Sequence, residues 1–382
     1  MDGSEGRTRE RGVGTSPENN CISHFSYSSY ESCESGNNDN NTELHSWYLR
    51  QRSLLPGTHT GIHRYDTAQV SSNSTAESEH VEAVLPYPAG YWAIFSVLDG
   101  RNGRSTSRWF RDNVVYAIGG ALVDLYSRLY DASRPSDRPP APSPNDIERT
   151  LKDTFKRLYH DIMYGPANTI LSTTPLPKAD TLARVYSGPS TVLGFYDSNS
   201  RGLHVAFTGD SCAVLGRRTQ KKNGDVVYQV HVLTVEQDGG NLAEEYRLNA
   251  GQPVPSHIKS PPDLTAKPEV TVTSVQPGDF LIMGTRGMWE RLTSEEAVGL
   301  IGTWLDEQWR QHSERTKTKP VVSMNDFLGS PPVVEALPNR TEDPNAATHL
   351  LKNALGKHSR GEGSVALYSP VIWADWLPLQ EL

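Results

Sequence analysis

The run Phe95-Ser96-Val97-Leu98-Asp99-Gly100-Arg101-Asn102-Gly103 passes from an apolar, β-rich segment through Asp-Gly into a glycine-containing turn. Its composition makes Tyr91 to Leu98 a strand. Asp99 then stands at the carboxyl end of that strand, where a carboxylate can face a cleft, and Gly100 lets a backbone carbonyl come close to a ligand. A carboxylate beside a bare carbonyl is a pair of hard oxygen ligands suited to Mg²⁺ or Mn²⁺. The same dipeptide also serves as an ordinary turn.

On the far side of the turn, Ser105 to Asp131 carries Phe110, Val114, Ala117, Ala121 and Leu125 at helical spacing and reads as a core-facing helix. A proline-rich loop, Pro135 to Pro144, leads to Asn145, read as the N-cap of a helix with Ile147, Leu151, Phe155 and Leu158 on one face. The period then changes. Thr191–Tyr196, Leu203–Phe207, Cys212–Leu215 and Val226–Val232 are short strands separated by turn residues, as in an antiparallel meander. Asn241 to Asn249 reads as helix, and Val270–Val275 and Phe280–Met283 as strands. Thr293 with Glu296 forms a capping box ahead of a helix burying Val298, Ile301, Trp304 and Leu305. Asp343-Pro344 opens a last helix that stops at Gly356. Meandering strands with pairs of helices outside them define an α/β-layered domain.

The chain has 382 residues, with 36% hydrophobic residues, 26 Pro and 31 Gly, which predicts long loops. Residues 1–55, rich in Ser, Asn, Glu and Gly, read as a disordered head, 56–368 as the domain and 369–382 as a divergent tail. The head and the proline-rich loop are expected as docking segments. A net charge of −8 without a basic block predicts no nucleic-acid partner. Cys21, Cys33 and Cys212 are too few and scattered for a disulfide framework or a zinc site. No long apolar run predicts a membrane span. The first 20 residues mix acids with arginines, unlike a secretory signal or a mitochondrial presequence, so the expected location is cytoplasmic or nuclear.

Several motifs then fall in order: Arg64-Tyr-Asp-Thr-Ala-Gln69, Ser72-Asn-Ser-Thr-Ala-Glu77, Phe95–Gly100, Ser187-Gly-Pro-Ser-Thr-Val192, Val205–Arg217, Leu233-Thr-Val-Glu-Gln237, Glu245-Tyr-Arg-Leu-Asn249 and Gly287–Val298. Across roughly Gly61 to Gly356 the chain resembles the metal-dependent protein phosphatases of the PPM (PP2C) class. Within that class it is most similar to the pyruvate dehydrogenase phosphatase-like branch found in fungi. The resemblance implies a central antiparallel β-sandwich flanked by pairs of α-helices. It also implies hydrolysis of serine/threonine phosphomonoesters by two Mg²⁺ or Mn²⁺ ions that activate a bridging water.

Position by position, the resemblance makes Glu77 a metal ligand, Asp99 the bridging ligand and Gly100 a carbonyl ligand. Ser78 replaces an Asp that orients metal-bound water, and Arg286, in Thr285-Arg-Gly-Met-Trp-Glu290, replaces a ligand Asp. Near the last motif, Gly361-Glu-Gly-Ser-Val365, the ligand position is Gly and only Glu362 is acidic, or else the motif is missing. A guanidinium about 4 Å from a divalent ion costs on the order of 8 kcal/mol at an effective dielectric near 20. One ion, at most, is therefore expected to keep a site, on Glu77, Asp99 and Gly100. Arg286 is expected either to swing away or to replace the lost ion by pairing with Asp99. Asp210, in Gly209-Asp210-Ser211, matches a residue that helps hold a third metal and also fits a tight turn. Asn73 stands where many members of the class place a phosphate-binding Arg. Arg64, Arg101 and Arg104 could bind an anion instead but read first as solvated surface residues, Cys212 as a small strand residue, and Glu236 and Asp238 as loop acids.

Two functional classes follow. One is a catalytically impaired pseudophosphatase that binds a protein partner or a phosphorylated segment. The other is a working enzyme, either a weak Mg/Mn-dependent phosphatase or a different reaction run by Glu77, Asp99, Asp210 and Arg286 in the remodelled pocket.

Overall fold

The computed structural model of the chain describes residues 28–37, 46–71, 77–100, 104–131, 141–172, 189–235, 268–316, 333–334, 343–356 and 370–376. Its strands form two antiparallel sheets. The larger runs in the order β1 (Ser28–Asn37), β2 (Ser46–Leu55), β3 (Ile62–Ser71), β13 (Pro370–Trp376), β11 (Phe280–Gly284), β8 (Cys212–Gln220), β9 (Val226–Val232) and β12 (Val333–Val334). The smaller runs β10 (Glu269–Ser274), β7 (Gly202–Thr208), β6 (Pro189–Asp197), β5 (Gly90–Gly100) and β4 (Glu79–Tyr87).

Three apolar clusters hold four layers together. Phe95, Val97, Val205, Phe207, Leu215 and Met283 meet between the sheets. On the outer face of the smaller sheet, Phe110, Ile118 and Leu122 of α1 (Ser105–Asp131) and Leu151 and Phe155 of α2 (Pro144–Ser172) cover Ile94, Phe195 and Ala206. On the outer face of the larger sheet, Val298, Ile301 and Trp304 of α4 (Ser294–Thr316) and Leu350 and Leu351 of α5 (Ala346–Gly356) cover Val70, Tyr228 and Phe280. Phe95 and its neighbours are fully buried, and each such side chain contributes roughly 2 kcal/mol by leaving water. The layered sandwich is therefore the architecture the sequence implies.

Local signals hold at some boundaries and shift at others. Thr293 and Glu296 form the expected reciprocal cap, each side chain accepting the other's backbone N–H. The cap of α2 is Ser143 rather than Asn145: its hydroxyl accepts the Asp146 N–H, and the helix starts at Pro144. The last helix is capped by Asn345, whose side-chain Oδ1 accepts the Thr348 N–H, instead of opening at Asp343-Pro344. Arg64 departs from the surface role expected of it. It bonds the buried Asp66 at 2.7 Å and lies over Trp304, because β3 is roofed by α4 and α5.

Both ends of the domain need correction. The head ending at residue 55 is not disordered throughout, since β1 and β2 lie within it and β2 pairs with β3 from Tyr48↔Ser71 to Leu54↔Tyr65. The stretch 369–382 is not simply a tail, since β13 lies between β3 and β11. The helix expected at 241–249, the acids Glu236 and Asp238, the motif at 361–365, Asn73, Arg101 and most of the proline-rich loop lie outside the described residues.

Candidate active site

The site lies where strands of both sheets end on one side of the sandwich. Asp99 is the penultimate residue of β5 and pairs with Ser190 of β6. Ser190 is buried, and its hydroxyl accepts the N–H groups of Asp210 and Ser211 at 2.9 Å each. Gly209 makes that approach feasible. It has φ +84, and a Cβ there would stand 2.6 Å from the Ser190 hydroxyl, so a larger residue is both strained and obstructed. Asp210 is thereby fixed beside the end of β5 although it is far from Asp99 in sequence.

Ser78 closes the other side. It is buried, precedes β4, and donates its hydroxyl to Asp99 Oδ1 at 2.5 Å. The Glu77 carbonyl accepts the Ser107 hydroxyl, which ties this segment to the first turn of α1. Arg104, just ahead of that turn, has a half-exposed guanidinium 3.9 Å from Glu79. Arg111 holds the same Glu79 at 2.7 Å.

Arg286 begins α3 (Arg286–Trp289), a single turn that leaves β11. Trp289 pins that turn by donating its indole N–H to the carbonyls of Cys212 and Gly284. The guanidinium gives Nε–H to Glu290 at 2.6 Å and Nη1–H to Asp210 Oδ2 at 3.4 Å, while half its surface stays exposed. The hydrogen bond it donates to Glu290, with the charges of Glu290 and Asp210, raises its pKa further. The pairing expected with Asp99 is therefore replaced by pairing with Asp210 and Glu290. The reason is geometric: Gly284 pairs with Cys212, so the chain leaving β11 meets the chain entering β8 rather than the end of β5.

The structure brings Ser78, Asp99, Asp210 and Arg286 to one edge, with Glu77 and Gly100 adjacent in sequence. Asp210 combines a turn between strands with a contact to charge. Cys212, buried, opens β8. Sequence reasoning missed Ser190 and Glu290. Glu290 was legible as the i+4 partner of Arg286, whereas nothing in Ser-Gly-Pro-Ser announces that its second serine anchors a loop about 20 residues on.

Two divalent ions held close together need several carboxylates free to coordinate. Here Asp99 accepts a serine hydroxyl and Asp210 faces the guanidinium of Arg286. Among the described residues no three His, Cys, Asp or Glu side chains gather as a metal cluster. This donor set, among the described residues, does not fit a two-ion centre.

Comparisons with known proteins agree with the fold. Residues 255–319 match the family described as Protein phosphatase 2C. A protein phosphatase 2C homolog of Schizosaccharomyces pombe is 28% identical, over 78% of this chain and 74% of that protein. The mitochondrial pyruvate dehydrogenase (acetyl-transferring) phosphatase 2 of Homo sapiens is 33% identical, over 78% of this chain and 72% of that protein. The serine-threonine phosphatase 2C of Toxoplasma gondii superposes with a TM-score of 0.53 at 14% identity, covering 91% of this chain and all of that one. With a human relative above 30% identity matched over most of its length, and with the layered sandwich in place, the chain belongs to the protein phosphatase 2C family.

Proposed function

We propose that this chain is a catalytically impaired member of its family, a pseudophosphatase that acts by binding a protein partner or a phosphorylated segment. One observation carries the reading. Arg286 stands where the motif calls for a carboxylate ligand, and it is held there by Asp210 and Glu290. Arginine stays charged at every relevant pH, so it opposes a divalent ion beside it and contributes no ligand. The fold and its apolar layers do not depend on that exchange, so a surface for partners outlives the chemistry.

A second reading, a weak phosphatase using one Mg²⁺ or Mn²⁺, is favoured by the retention of Glu77 just ahead of β4 and of Asp99 and Gly100 at the end of β5. Hydrolysis of p-nitrophenyl phosphate and of a phosphoserine peptide, with Mg²⁺ or Mn²⁺, separates the two. The pseudophosphatase reading expects wild type at the background rate and no further loss in Asp99→Asn. Metal-dependent turnover that Asp99→Asn abolishes overturns it and makes the chain an enzyme.

A further inference from the structure

We propose that Ser78 and Arg286 stand in for metal ions in this chain, positioning residues that each set a protein donor on one oxygen of a site carboxylate. A carboxylate partly or wholly withdrawn from water gains from a donor or a cation, because a buried acceptor left without one bears its full desolvation cost. Asp99 receives such a donor from the buried Ser78 hydroxyl at 2.5 Å, a short, charge-assisted bond. Asp210, only 2% exposed, receives the Arg286 guanidinium, which Glu290 aims with a 2.6 Å bond to Nε. Both donors occupy positions where the motifs of the family place an aspartate. Each replacement therefore removes a negative charge and adds a donor, and the two occur on opposite sides of the same strand end.

One replacement alone would be a lesion. The two together set a protein donor on both Asp99 and Asp210, with the backbone of the Asp210 loop already held by Ser190. The site's geometry then needs no divalent cation to persist. The inference rests on the functional reading above, since both take Arg286 to oppose a divalent ion. Unfolding reads binding of the ion and the phosphatase assay reads turnover, so the failure of one is distinguishable from the failure of the other.

The test is thermal unfolding of the full chain in EDTA and in millimolar Mn²⁺ or Mg²⁺, for wild type, Arg286→Asp, Ser78→Asp/Arg286→Asp and a control, Arg310→Asp, on exposed α4 surface. Wild type and the control are expected to have the same Tm in EDTA and metal. Arg286→Asp gathers new negative charge beside Asp210 and Glu290, so it melts lower in EDTA. Mn²⁺ should restore it by roughly 5 °C, the scale of a ligand well above its Kd, with a larger shift in the double variant. A Tm rise in wild type equal to that of Arg286→Asp overturns the proposal, as does a flat response in both variants. Where the aspartate variants fail to fold in either buffer, Arg286→Gln decides. Removal of the positive charge must then make the Tm metal-sensitive, and an unchanged Tm refutes the substitution.

Discussion

Strands β8 and β11 carry an arginine–aspartate pair at each end of their shared ribbon, and the two pairs are built differently. At one end Arg217, on β8, grips Asp279, which precedes β11. Its Nε lies 3.1 and 3.2 Å from the two carboxylate oxygens and its Nη2 2.8 Å from one of them. The Gln276 N–H and the Ser274 carbonyl complete that network, and Asp279 is 1% exposed. At the other end the order is exchanged: Asp210 precedes β8 and Arg286 follows β11, with one contact of 3.4 Å and a half-exposed guanidinium shared with Glu290. The closed pair locks a turn. The open one leaves a half-exposed guanidinium at the mouth of a site, where its removal costs less than at the closed end. Identical residue types thus serve as a fastening at one end and as a replaceable part at the other.

The contrast can be broken most forcefully at the closed end. Arg217→Ala strands the buried Asp279 carboxylate and should cost about 3–5 kcal/mol in urea unfolding; a loss below about 1 kcal/mol would erase the distinction. Next comes Gly209→Ala, which forces a Cβ against Ser190 at a positive φ and should cost roughly 2 kcal/mol. That variant shows whether the Asp210 loop, rather than its ion pair, carries the rigidity of the open end.

Arg286→Ala should cost about 1–2 kcal/mol, less than the closed pair, because the guanidinium is half in solvent and makes a single long contact, although Asp210 itself is only 2% exposed. Double-mutant cycles over both pairs put the contrast in one number, with a coupling energy expected to be several-fold larger for Arg217/Asp279.

The smallest effect comes from a third charged pair, on β4 beside the site. Burial opposes charging of His80, but Glu82 at 3.1 Å, with Glu79 behind it and Arg111 opposing, leaves its pKa raised above 6.5. A raised histidine stabilises the fold fully below pH 6.5 and loses that contribution as pH climbs through the folded value. Stability relative to His80→Gln should therefore fall by about 0.5–1 kcal/mol toward alkaline pH. A pH-independent difference would show that the pair acts by packing alone.

Much of this was legible from the chain itself. Asp99 follows from a strand ending in Asp-Gly, and the helices of the outer layers follow from faces such as Ile147, Leu151 and Phe155. What escaped was set by pairing between distant strands. Arg286 was expected against Asp99, whereas the β8–β11 register delivers it to Asp210. Ser190 was invisible for the same reason. In β2 the buried Leu49, Gln51 and Leu54 alternate imperfectly with Arg50 and Arg52, so the average polarity of residues 1–55 hid a strand. Such periodic signals are local, and sheet partners are not.

The location of β13 bears on how the protein is made. It is the only bridge in the larger sheet between β1–β3 and β11–β8 among the described strands, yet it is synthesised after all of them. Until residues 370–376 leave the ribosome, β3 and β11 each present an unpaired edge, with more than 200 residues of chain between them. Closure of such distant strands is slow and leaves aggregation-prone edges waiting. A nascent chain halted before Pro370 should therefore depend on chaperones, and one released beyond Trp376 should complete its sheet in a single late step.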